Sequence, residues 1–207
     1  ISEDITLVVY PDGISEATAR DFATGCDLIF DEVEFYAIGA RVFLHQVARE
    51  LNIVLLNCNT VGHRTFCFKF TRDSMTVEEA LGVSYERASE LEQLVRSDPT
   101  STRGRAAAAE IQTRILRVFV PETPEYSANP LTYNMRRVFD ERLEQERRVS
   151  IIAPNPIMAS GFAANRGLYE LLAKHSTLKR NVEEVPPMPG YASLDALRPS
   201  ESKVVST

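Results

Sequence analysis

A chain of 207 residues, 44% hydrophobic and 25% charged, has the composition of a globular protein with one sizeable core. Its formal net charge of −6, without a sustained basic stripe, argues against nucleic acid as a partner, and no apolar run approaches the roughly 20 residues of a membrane helix. The opening ISEDITLVVYPDG has neither a basic n-region nor an apolar h-region. Cys26, Cys58 and Cys67 include no CxxC pair, so neither a disulfide framework nor a zinc ribbon is expected and a reducing cytoplasm fits best.

Ile5 to Tyr10 is a continuous apolar, β-branched run closed by Pro11-Asp12-Gly13, the pattern of a buried strand in a parallel sheet. With no initiator Met and a strand by residue five, the chain reads as a piece of a longer protein. A short helix follows, anchored by Phe22 and stopped by Gly25. Leu28 to Asp31 reads as a second strand, and residues 33–51 place Tyr36, Ala40, Phe43, Val47 and Leu51 on one helical stripe. Asn52 to Asn57 reads as a third strand. In HRTFCFKF the phenylalanines recur with period two, which predicts a strand with one covered face.

From about Met75 the texture turns helical, broken by Asp98-Pro99 and a Ser/Thr/Gly patch at 97–104 that suits a mobile loop. Residues 121–130 are Pro-rich, LTYNMRRVFDERLEQERRVS reads as a helix with a solvated face, and Leu168-Tyr169-Leu171-Leu172 marks another helix. After Leu178 the chain is Pro-rich and polar, as expected of a loosely held tail. The expected organisation is one α/β domain over 1–178, with a helical insertion at about 84–148, and a tail over 179–207.

Asp31, Glu32 and Glu34 crowd the junction between a buried strand and a helix. Open α/β sheets bind ligands beyond the carboxyl ends of their strands, and a carboxylate there suits Mg²⁺ held against phosphates. Equally, acids are favoured at a helix start by its dipole, with no ligand required. Arg41, two turns beyond Glu34, has the same two readings: a phosphate contact or a structural partner of the acids. No GxxxxGK[ST] and no GxGxxG occurs, so the chain shows no phosphate cradle of its own. Cys58 and His63 lie near each other in sequence, but all three cysteines read as small buried hydrophobes. The three histidines are too scattered for metal ligation, and His45 reads as facing solvent.

DLIFDEVEFYAIGAR, NIVLLNCNTVGHRTFCFKF and SIIAPNPIMASGFAANRGLYELLAKHS, taken in order, resemble the superfamily of ThiF, MoeB and the ubiquitin-activating enzymes. The resemblance covers about residues 5–83 and 149–176. It implies the second half of a Rossmann-like, mostly parallel sheet with flanking helices, incomplete at its N-terminus. The activity implied is ATP- and Mg²⁺-dependent adenylation of a carboxylate. Its substrate would be a ubiquitin-like or sulfur-carrier protein C-terminus, or a peptide, handled by a homo- or heterodimer. By the same resemblance Glu34 takes the metal-ligand position, Asp31 the earlier, cofactor-binding acid, and Arg41 the catalytic helix arginine. Glu34 stands where the family has Asp, and Phe35 where it usually has Asn. The family's glycine-rich turn, ribose acid and phosphate-binding Arg and Lys precede this element and are absent from the chain. The alternative implied is a non-catalytic scaffold member of the same fold.

Overall fold

The computed structural model describes residues 4–61, 63–122, 154–173 and 184–206. The expected irregular stretch at 121–130 falls mostly outside them, and the expected helix from Leu131 to Ser150 entirely so. Among the described residues one sheet runs β1 (Leu28–Asp31), β2 (Val54–Val61), β3 (Arg64–Phe70), β4 (Tyr191–Asp195) and β5 (Lys203–Val205), in that spatial order. β1 and β2 are parallel, with Leu28 opposite Val54 and Asp31 opposite Asn57, and every later pairing is antiparallel. The architecture is therefore mixed α/β with one parallel pair, and the expectation of a mostly parallel sheet is corrected.

The correction comes from the two ends of the sequence. Residues 191–205, expected in a loose tail, supply β4 and β5 instead. Ala192 lies opposite Cys67 and Asp195 opposite Arg64, so these strands cover what would have been the outer edge of β3. At the other end Ile5 to Tyr10 forms no strand. Ile5, Leu7, Val8 and Val9 are 63–82% exposed. Their apolar pattern specifies a buried strand, but a strand exists only where a neighbour accepts its backbone hydrogen bonds. β1, four residues long, leaves its outer edge unpaired among the described residues.

Helix α2 (Ile38–Glu50) joins β1 to β2 and buries Ile38, Val42, Leu44, Val47 and Ala48 against the sheet. Its end is specified locally. Asn52 takes φ 56°, and the Asn52 and Ile53 N–H groups donate to the Arg49 and Ala48 carbonyls, satisfying the last turn before β2 begins. Short α1 (Ala19–Ala23) packs beside it, and α3 (Val77–Leu81) starts on a reciprocal cap in which Thr76 and Glu79 satisfy each other's backbone N–H.

α4 (Tyr85–Ser97) and α5 (Thr102–Phe119) bury Ala88, Leu91, Val95, Ala107, Ile111, Ile115 and Phe119 in the same core. The patch read as a mobile loop is a tight, capped helix start: Ser101 Oγ accepts from Gly104 N at 2.9 Å, and a Cβ on Gly104 would lie 2.0 Å from the Asp98 carbonyl oxygen. α6 (Pro154–Leu172) covers the other face of the sheet, with Phe162 against a smaller apolar cluster of Leu56, Cys67, Val185 and Ala192. β3 is accordingly buried along its whole length, Phe66, Phe68 and Phe70 on the α2 side and Cys67 on the α6 side. The expectation of one covered face is corrected.

Candidate functional site at the end of β1

Asp31 is the last residue of β1 and its side chain is wholly buried. Oδ2 accepts from Arg41 Nε at 2.9 Å, His45 Nε2 at 3.0 Å and Asn57 Nδ2 at 2.9 Å, while Oδ1 accepts from the Val33 backbone N–H at 3.0 Å. Three elements converge here. Arg41 and His45 lie four residues apart on the inward face of α2, and Asn57 is the residue that the parallel register sets beside Asp31. Burial alone would push the Asp31 carboxyl up. The Arg41 charge, the His45 hydrogen bond and the Val33 N–H outweigh it and hold the group well below the usual carboxylate range.

Arg41 is itself 4% exposed. Its guanidinium also donates to the Val33 carbonyl and lies 5.7 Å from the centre of the Phe119 ring. His45 is 6% exposed and meets the Phe70 ring edge-on at 4.6 Å, so the solvent-facing expectation is corrected. The geometry turns Asp31 and Arg41 toward each other and away from solvent.

Glu34 lies three residues beyond β1, in the turn that leads to α2, and is exposed. Its Oε1 accepts the Phe35 N–H at 3.0 Å, and its carbonyl accepts the Ala37 N–H at 2.9 Å, so backbone bonds define the turn. Among the described residues no group of three His, Cys, Asp or Glu side chains is placed to hold a metal ion. Glu34 and Glu32 are both exposed here, so the turn offers separate carboxylates rather than a three-group metal set.

The start of α2, where a phosphate would be drawn by free N–H groups, already holds an anion. Glu92 of α4 accepts from Gly39 N at 2.9 Å and Ala40 N at 3.1 Å. Gly39 permits this closeness, since a Cβ there would lie 2.9 Å from Ser89 Cα.

A second buried ionic group stands at the turn end of β3. Arg64 meets Asp195 at 2.9 Å, Glu122 at 3.1 Å and Glu201 at 2.6 Å, tying the C-terminal strands to the hairpin. Sequence reasoning found Asp31, Arg41 and Glu34 but missed His45, Asn57 and Glu92. A polar Asn in an otherwise apolar strand, and a His one turn from Arg41, were the available signals. Glu92 gave none, because its partner is 53 residues away.

No family model, curated protein or solved structure matches this chain. No described helix is long and apolar enough to cross a membrane.

Proposed function

We propose that this chain is the acid-bearing half of a ThiF-like adenylating module, with Glu34 as its metal-facing carboxylate. The observation that carries this reading is the contrast at the end of β1. Asp31 is fixed by four donors, whereas Glu34, three residues on, projects an exposed carboxylate beyond the carboxyl ends of the parallel pair β1·β2. That is where open α/β sheets place their ligands. In this reading β1–α2–β2 is the edge of a Rossmann-like sheet that continues past β1, with the phosphate cradle supplied by residues beyond these 207 or by a second subunit.

Mg²⁺ takes hard oxygen ligands, keeps several waters and accepts one or two carboxylates together with substrate phosphates, so Glu34 alone fits it as a protein ligand. Asp31 does not fit, because both its oxygens already accept N–H donors. When bound, Mg²⁺ supplies charge neutralisation on the phosphates. Within the chain, Asp31 holds the strand end, and Arg41 holds Asp31 and the Val33 carbonyl, so that the turn carrying Glu34 keeps one position. Arg41 is thus a positioning residue in this proposal rather than a catalytic cation. The attacking carboxylate belongs to a ubiquitin-like protein, a sulfur carrier or a peptide.

A second reading, a non-catalytic scaffold, draws on two observations. Glu92 fills the anion position at the start of α2, and Arg41 faces inward. ATP–pyrophosphate exchange separates the readings. With the proposed cradle-bearing segment or subunit present, Glu34→Gln should lower exchange at least tenfold while Glu32→Gln leaves it within twofold. Wild-type protein without exchange, in the presence of its carboxylate substrate, leaves the scaffold reading standing.

A further inference from the structure

The α6 face of the sheet carries two thiols that the adenylating reading does not use. Cys58 of β2 and Cys67 of β3 are direct partners in the antiparallel register. Both side chains emerge on the α6 side, where Cys67 is buried and Cys58 half-buried beside Leu56 and Phe162. Residues directly opposite on antiparallel strands have Cα atoms about 4.5–5.5 Å apart, within the span of about 4.4–6.8 Å that a disulfide bridges. The neighbouring Cys67 thiol, then burial, push the Cys58 thiol up from its ordinary value. Cys26 stands apart at the end of α1, its Sγ donating to the Phe22 carbonyl at 3.3 Å.

We propose that Cys58 and Cys67 form a dithiol site that a small disulfide oxidant, such as glutathione disulfide, converts to a cross-strand disulfide. Cys58 is the entry point because it alone of the pair is accessible. It loses its proton to solvent and attacks one sulfur of the oxidant, forming a mixed disulfide and releasing one glutathione thiolate. Cys67 then loses its proton and attacks the Cys58 sulfur, releasing the second glutathione. Two protein thiols are oxidised by two electrons, and one glutathione disulfide is reduced to two glutathiones. The new bond clips β2 to β3 one residue from Asn57, and it reopens by the reverse exchange. Because the attacking species is the thiolate and the Cys58 thiol is raised, the rate climbs about tenfold per pH unit around neutrality. This inference stands independently of the adenylation proposal.

The test is oxidation of the 207-residue chain with glutathione disulfide, followed by thiol counting and peptide mass mapping. The expected result is a fall from 3 free thiols to 1, with residues 58 and 67 in one linked pair and Cys26 still reduced. Cys67→Ser should instead stop at a glutathione adduct on Cys58, and Cys58→Ser should resist oxidation at Cys67. Wild-type chain that accumulates the same Cys58 adduct as Cys67→Ser, links Cys26, or keeps all its thiols would overturn the proposal.

Discussion

Replacing Asp31 by Ala should be among the most damaging single changes in the molecule. The substitution leaves Arg41 at 4% exposure without its charge partner, and removes an acceptor from His45, Asn57 and the Val33 N–H. Removing one member of a buried ion pair costs about 3–5 kcal/mol, because the remaining charge stays desolvated. With a urea slope of about 2 kcal/mol per molar, the midpoint should fall by about 2 M. Equilibrium urea unfolding followed by far-UV circular dichroism reads this directly. The double variant Asp31→Ala/Arg41→Leu also removes the stranded charge, and should regain at least about 1 kcal/mol over Asp31→Ala alone. A loss below about 1 kcal/mol in the single variant, or strict additivity in the pair, would refute the claim that this cluster fixes the end of β1.

Acid should act through the same group. The folded-state value of Asp31 lies below its ordinary 3.8, so its contribution is present above that value and is lost as pH falls. Urea midpoints should therefore begin to drop below about pH 5 and keep dropping below pH 3, because the folded-state group stays ionised well under its ordinary value. Asp31→Asn, measured in parallel, should show a shallower drop. Gly39→Ala would place a methyl 2.9 Å from Ser89 Cα, between α2 and α4, and should cost about 1–3 kcal/mol in the same assay. Arg64→Met strands Asp195 among Glu122 and Glu201, and limited proteolysis should then cut within residues 184–206 well before the rest of the described core.

The middle of the fold was legible because its determinants are local. Helical spacing marks α2, although the helix starts only at Ile38 and buries Ile38, Val42, Leu44 and Val47 more fully than the rest of the expected stripe, Tyr36, Ala40, Phe43 and Leu51. The Phe alternation gives β3 its α2-facing side. The strand pattern of Ile5 to Tyr10 was equally clear and is not realised, since pairing depends on a neighbour that no local pattern contains. The failure at 191–205 is the reverse. Tyr191 to Asp195 follows a Pro-rich stretch and has only Tyr191, Ala192 and Leu194 as apolar residues, so its burial comes from pairing with β3. At the candidate site the acids and Arg41 stood out as unusual residues for their positions. Their roles rest on the β1·β2 register and on a carboxylate from α4, neither of which sequence spacing encodes. Arg41 illustrates the result. Its helical position suggested either a phosphate contact or an acid partner, and only its burial beside Asp31 and Phe119 separates the two.

Calorimetric titration with Mg-ATP, run on this chain alone and together with the segment or subunit proposed to supply the phosphate cradle, tests the central proposal most directly. The account places the metal-facing carboxylate here and the phosphate cradle elsewhere. Phosphates need free N–H donors at a tight turn, the start of α2 is already filled by Glu92, and a net charge of −6 repels the nucleotide further. The predicted result is no measurable heat of binding for the chain alone, binding once the proposed cradle-bearing segment or subunit is present, and weaker Mg-dependent binding when the chain then carries Glu34→Gln. Micromolar binding by the chain alone would contradict the account, as would an Mg-ATP affinity, measured with the proposed cradle present, that Glu34→Gln leaves unchanged.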